Sequence, residues 1–444
     1  MKNILVIGAG RSSHVLIEFL LANAEQFRWL VTVADAEPSA AARRINGHKH
    51  GLSVWLDVNK PNDRKDLIKR SDLVISLLPA QLHLKVAKDC LLLRKHLLTA
   101  SYLSPDIESM HDVVQGSGLT FISELGVDPG IDHMSAMRLI EQIKGQGGDI
   151  FDFRSYTGGL VAPDSDDNPW HYKITWNPQN VVMAGQGTAQ YLDQNKPRFV
   201  PGYRVFEHPR IVEVHGFGEL EMYPNRDSLL YQTVYGLDNV TNMIRGTLRY
   251  PGFCSAWNAL VKIGLTESFG MIHNTGGLTY RRLLEGFLPV GNGPLKSRLA
   301  QYLGVAVDNE IIHKIEWLGL LSSTSVDLSN GTAAEILLEL LLRKWKMTGK
   351  DRDVVIMQHE IYYRKNHSDH LKVSTLIYEG ESLKKTAMAK LVGWPLGVAA
   401  KLLMTGQLDY PGIHRPTNRR VYEPVLDGLQ QLGVNFIESD GSEG

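Results

Sequence analysis

The run Gly8-Ala9-Gly10-Arg11-Ser12-Ser13 follows the apolar stretch Ile4 to Ile7, and its two glycines frame a chemistry of phosphate binding. At a strand-to-helix turn the first glycine permits the sharp reversal. The second removes the side chain that would hold a pyrophosphate off the backbone, and amides opening the next helix face its oxygens. Ser13 stands where a third glycine is usual, so the fingerprint is incomplete. Asp35 follows Ala34 at the end of the next apolar stretch. A carboxylate there accepts hydrogen bonds from ribose hydroxyls and repels a 2′-phosphate, which favours NAD. Arg43 and Arg44 lie close enough in sequence to leave NADP open. Asp57 and Val58 end a third stretch and are candidates for the adenine side, although Asp57 reads equally well as a helix cap. Leu77, two residues before Pro79, is a candidate for backbone contact with the nicotinamide ribose.

Three further clusters exceed what a dinucleotide site needs. Ser101 and Tyr102 stand at the carboxyl end of an expected strand, where open α/β sheets place ligands. In Glu124-Leu125-Gly126-Val127-Asp128-Pro129-Gly130 an acidic residue sits between glycine and proline just before an expected helix at Ile131. Asp128 exceeds what a dinucleotide site needs, although a turn or cap residue is the commoner role for Asp before Pro. The third cluster joins two expected loops, Tyr223 to Ser228 with Arg226, and Arg245 to Tyr250 with Thr247 and Arg249. Guanidinium groups pair with carboxylates through two parallel hydrogen bonds, so two such loops suit an anionic substrate. Surface salt bridges would look the same.

These residues need a scaffold. From Met1 to about Asp128, apolar strands at Ile4–Ile7, Leu30–Ala34, Leu52–Val58, Leu73–Leu78, Leu97–Ala100 and Leu119–Ser123 alternate with helical stretches. That rhythm is the pattern of a doubly wound parallel sheet. Beyond it, strands are expected at Asp149–Tyr156, Arg210–His215, Val354–Tyr363 and Val373–Tyr378, with a polar turn from Arg364 to His370. A long Gly/Pro/Asp-rich loop is expected from Gly158 to Trp170. The interval from about Asn239 to Lys350 reads as an inserted helical subdomain, and Gly393, Pro395 and Gly397 are expected to break the last helical pattern near Trp394.

Composition removes several function classes. The chain has 444 residues, too many for one ordinary core, and 43% hydrophobic residues, as globular proteins do. Its formal charge of −1 gives no electrostatic footprint for nucleic acid or a membrane surface. Cys90 and Cys254 are the only cysteines, so a disulfide scaffold is not expected and a reducing cytoplasm fits. No metal is expected, since His359-Glu360 lacks the second histidine of H-E-x-x-H. Lys2 before Ile4–Ile7 does not make a signal peptide, the apolar run being too short. Glu339 breaks the leucine-rich stretch Ile336 to Leu342, and Glu335 and Arg343 flank it, so it is not expected to span a bilayer.

Taken together, the GAGRSS turn, TASY at Thr99–Tyr102 and ELGVDPGIDHMSA at Glu124–Ala136 resemble the saccharopine dehydrogenase family. SYTGGLVAP at Ser155–Pro163, NPWHYKITW at Asn168–Trp176, NRDS at Asn225–Ser228, RGTLRYPGF at Arg245–Phe253 and VGWPLGVAAKLLMTG at Val392–Gly406 extend the likeness over nearly the whole chain. The resemblance implies a Rossmann domain over residues 1–128 with residues 390–444 packed back on it. It also implies a mixed α/β substrate and dimerisation domain from 129–240 and 350–389, and an α-helical subdomain over 241–349. Its implied activity is oxidation of saccharopine to L-glutamate and 2-aminoadipate 6-semialdehyde by a cytoplasmic homodimer using NAD or NADP. Carried over residue by residue, Ser101, Tyr102, Asp128, Arg226, Thr247 and Arg249 would contact saccharopine, with Asp128 and Tyr102 as the acid/base candidates. Backbone at Val127, Asp128 and Pro129 would lie beside the nicotinamide, and Gly8, Ala9, Gly10 and Arg11 at the pyrophosphate. Two departures bear on this. Fungal family members carry an arginine near the end of the second strand where this chain has Asp35, and a cysteine proposed as catalytic aligns with Thr157. The rivals are a related reductase making a carboxylated polyamine and a silent NAD-binding Rossmann protein.

Overall fold

Ile4, Leu5 and Val6 are wholly inaccessible, as a strand covered on both faces requires. In the computed structural model, which describes residues 1–10 and 12–441, they lie in the strand at the centre of a parallel sheet. Arg11, one of the expected cofactor contacts, lies outside the described residues. The chain divides into two compact units, one of Met1–Ile150, Tyr363–His370 and the chain from Gly380, the other of Phe151–Tyr362 and Leu371–Glu379.

The first unit holds β1 (Lys2–Ile7), β2 (Trp29–Asp35), β3 (Gly51–Trp55), β4 (Leu73–Ser76), β5 (His96–Thr99) and β6 (Thr120–Ile122). They pair in parallel in the order β6-β5-β4-β1-β2-β3, the doubly wound order of dinucleotide-binding sheets. A seventh strand, Gly412–His414, comes from the far end of the chain and lies parallel to β6. The third strand is shorter than expected: it stops at Trp55 because Asp57 accepts from the Asn59 amide and turns the chain ahead of Pro61. That is a turn residue's role, not a strand end.

Helix Ala387–Met404 corrects a second expectation. Its glycines and proline do not break it; Pro395 sits inside a continuous helix. A Cβ at Gly393 would lie 2.7 Å from the Leu16 amide nitrogen, and one at Gly397 would lie 2.6 Å from Phe19 Cδ1. Both glycines therefore let this helix press against Ser13–Phe27, which follows the phosphate-binding turn. Length and composition would let Ala387–Met404 cross a membrane, but 72% of that stretch is buried inside the molecule.

The second unit is built on β7 (Asp149–Val161), β8 (Ala189–Asp193), β9 (Lys196–Val200), β10 (Arg210–Val214), β11 (Gly218–Pro224) and β12 (Asn242–Arg249). Sheet order is β10-β11-β12-β7, continuing into the strands Asp353–Lys365 and Ser368–Glu379, with β8 and β9 branching from β12. β7 runs on to Val161, so the expected loop at Gly158 begins only after it. The polar turn expected over Arg364–His370 contracts to Asn366-His367, both at positive φ. Asn242–Arg249 is a strand, not the start of the helical subdomain, whose helices begin at Phe253–Ile263 and end with Ala333–Lys344. The helical core gathers Leu260, Leu284, Leu299, Ile315 and Leu337. Helix Ile131–Gly145, expected beyond the first domain boundary, belongs to the first unit.

Candidate active site

Gly8 takes φ +109°, and a Cβ there would lie 3.0 Å from the Leu77 carbonyl oxygen. Only glycine lets the turn come this close to the end of β4, where the Leu77 amide donates to Ile7 O at 2.9 Å. A Cβ at Gly10 would meet nothing within 4 Å, which leaves open room for a phosphate against the backbone. Ser13, in the place of the usual third glycine, is buried and its hydroxyl donates to Gly10 O at 2.8 Å.

Asp35 closes the other side of this turn. One carboxylate oxygen accepts from the Ala9 amide at 2.6 Å, the other from the Glu37 amide at 2.8 Å. Arg44 donates to Gly10 O at 3.0 Å, so a cation and a carboxylate flank the same turn. Ala34 sits just behind, its carbonyl accepting from the Gly8 amide at 2.8 Å. The Val58 carbonyl accepts from buried Arg64, which also holds Asp89 at 2.7 Å, so that segment is internal scaffolding.

Beyond the carboxyl ends of β5 and β6 the two acid/base candidates meet. Tyr102 donates to Asp128 Oδ1 at 3.0 Å. Asp128 lies in a tight loop with a cis peptide bond to Pro129. The Gly126 amide donates to Pro129 O at 2.9 Å, and the Ile131 amide donates back to Gly126 O at 2.9 Å. Gly130 has φ +150°, and a Cβ there would fall 2.1 Å from Gly126 O. Ser101 neighbours this pair, its hydroxyl 2.8 Å from His83 Nε2.

Glu124 holds the two loops in register. It is buried at φ +62° and its Oε1 accepts from the Leu103 amide at 2.9 Å and from Arg415 Nε at 3.1 Å. Its Oε2 lies 2.9 Å from His133 Nε2, on the helix after Asp128. Burial alone would raise its pKa, but His133, the Leu103 amide and Arg415 prevail and bring it down to about 2. The bonds that stabilise the charged form therefore act fully above about pH 4.5 and fade as pH falls toward 2, a contribution of about 3 kcal/mol. Glu124→Gln should lower unfolding free energy by roughly that much at pH 7, with the gap from wild type narrowing below pH 4.5. Urea melts at pH 7 and pH 3 check this; a gap independent of pH would refute it.

In the second unit, β12 carries Arg245, Thr247 and Arg249 on alternate positions, and Tyr223 pairs with Thr247 and Glu221 with Arg249 across β11. Thr157 is Thr247's partner on β7. The arginines fall in unlike settings. Arg226 is exposed, with its carbonyl fixed by the Gln190 amide at 2.7 Å. Arg245 is buried under the Tyr231 ring at 4.3 Å. Arg249 is 4% exposed, donates to Leu248 O at 2.8 Å and to Tyr223 Oη at 3.2 Å, and lies over the rings of Tyr172, Tyr223 and Phe253. Its Nε–H meets no acceptor among the described residues. An unsatisfied buried guanidinium donor is costly and suits a group waiting for an anion.

Sequence reasoning passed over His83 and Arg415 and gave Glu124 no role. His83 sits where the helix after β4 begins, a position that could have flagged it. Arg415 could not be flagged, since only folding brings it to Glu124.

The family model described as "Saccharopine dehydrogenase NADP binding domain" matches residues 4–122, and "Saccharopine dehydrogenase C-terminal domain" matches residues 126–434. Mouse "Alpha-aminoadipic semialdehyde synthase, mitochondrial" is 33% identical over 98% of this chain and 47% of its own length. The chain thus spans about half of the mammalian relatives it matches. "Saccharopine dehydrogenase [NADP(+), L-glutamate-forming]" of Schizosaccharomyces pombe is 30% identical over 99% of both chains. The apo, histidine-tagged saccharopine dehydrogenase (L-Glu forming) of Saccharomyces cerevisiae is 28% identical and superposes with TM-score 0.89 over the full length of both chains.

Proposed function

We propose, since the chain belongs to the saccharopine dehydrogenase family, that it oxidises saccharopine to L-glutamate and 2-aminoadipate 6-semialdehyde with NAD or NADP. The observation that carries this reading is the Tyr102–Asp128 hydrogen bond of 3.0 Å beyond the carboxyl ends of a Rossmann sheet. The glycine turn fits a dinucleotide, which supplies the acceptor for a hydride from the substrate carbon bearing the secondary amine. Asp128 takes the ammonium proton, so that the nitrogen lone pair can form the imine as the hydride leaves. Asp128 passes that proton to solvent and, with Tyr102, takes another from the water that adds to the protonated imine carbon. It returns this proton to the nitrogen as the carbinolamine C–N bond breaks, and the hydroxyl proton leaves to solvent, giving amine and aldehyde. Within the second unit, Arg249 has an N–H with no acceptor among the described residues, which suits a carboxylate. The reading includes a homodimer in a reducing compartment such as the cytoplasm, supported for the compartment by Cys90 and Cys254 being buried free thiols.

The test is to mix protein with saccharopine and NAD or NADP and follow absorbance of the reduced nicotinamide. No reduction with either cofactor would refute the proposal. The same assay reads cofactor choice. Asp35→Asn keeps an acceptor for the Ala9 amide but removes the charge, so kcat/KM with NADP relative to NAD should rise about tenfold. An unchanged ratio would show that Asp35 does not face the ribose.

A further inference from the structure

His83 opens the helix His83–Leu92 and is 3% exposed. Its Nδ1 lies 2.9 Å from the hydroxyl of Ser76, the last residue of β4. Its Nε2 lies 2.8 Å from the Ser101 hydroxyl and 3.4 Å from that of Thr99, the last residue of β5. One ring thus ties together the carboxyl ends of two central strands at the place where such sheets bind ligands. Burial pushes the imidazole's pKa down to about 4, so near pH 7 it is neutral, with one donor and one acceptor nitrogen. Ser101 must then complement whichever nitrogen it meets. The contact holds the Ser101 hydroxyl at 2.8 Å from the ring and leaves its other hydrogen-bonding positions for a ligand.

We propose that His83 is a positioning residue: an imidazole strap that holds the Ser101 hydroxyl so that it meets the amino-acid head group of the substrate. This rests on the functional reading above. Ser101 adjoins Tyr102, which donates to Asp128, so a loose Ser101 would let the head group wander relative to the acid/base pair without removing that pair.

The two amide isosteres separate the roles of the ring. Asparagine can replace Nδ1 and keep Ser76, whereas glutamine can replace Nε2 and reach Ser101. With saccharopine and saturating cofactor, His83→Asn should raise KM about tenfold with kcat within about twofold, and His83→Gln should stay within about threefold of wild-type KM. In a Ser101→Ala background, His83→Asn should add nothing further to KM, because the strap acts only through that hydroxyl. Equal KM effects from both isosteres, no effect of His83→Asn, or additivity with Ser101→Ala would each overturn the strap while the function stands. A wild type inactive on saccharopine would overturn the function and the strap with it.

Discussion

Asp128→Asn should slow saccharopine oxidation about a thousandfold while leaving dinucleotide affinity within about twofold. The side chain would keep its volume and could still accept the Tyr102 hydroxyl, so the loop need not rearrange. What disappears is the negative charge and the basicity. Both proton transfers assigned to this position, from the substrate ammonium and from the attacking water, then lack an acceptor. General-base losses of this kind span about a hundredfold to ten-thousandfold. Tyr102→Phe removes only the oriented hydroxyl and should cost less, about tenfold to thirtyfold in kcat. Steady-state rates with cofactor titration by nicotinamide fluorescence separate the two effects. An Asp128→Asn enzyme of near-normal kcat would remove this carboxylate from the mechanism and leave it as a turn residue.

Why some of this was legible in the sequence and some was not has a physical basis. β1, β2 and β4 are apolar runs buried on both faces, and such runs stand out whatever surrounds them. The glycine turn and Asp35 are local features, fixed by the backbone positions they occupy. The hub at Glu124 is different, because its partner Arg415 is 291 residues away and no local pattern encodes their meeting. β12 was hidden for another reason. Its polar residues, Arg245, Thr247 and Arg249, read as a loop when burial is unknown, yet they alternate along a strand whose arginines are buried. The glycines of Ala387–Met404 misled in the opposite direction, since close helix contact uses the same residue as a helix break.

Arg249→Met should raise KM for saccharopine at least about a hundredfold and at the same time leave thermal stability unchanged or higher. The two halves follow from one observation. Arg249 is buried among Tyr172, Tyr223 and Phe253, and its Nε–H has no acceptor among the described residues. A buried cation in that state costs folding free energy, and a methionine of similar length would fill the space among the rings without that cost. If the guanidinium exists to receive a carboxylate, charge-assisted bonds worth roughly 1.5–3 kcal/mol each are lost with it, and the penalty appears in substrate binding. Arg249→Lys keeps the charge but not the planar fork, so it should recover only part of KM. Were Arg249 a packing residue, the pattern would invert: Arg249→Met would melt earlier and bind saccharopine normally. Melting temperature and KM, measured on the same preparations, therefore decide between an anion site and a core arginine.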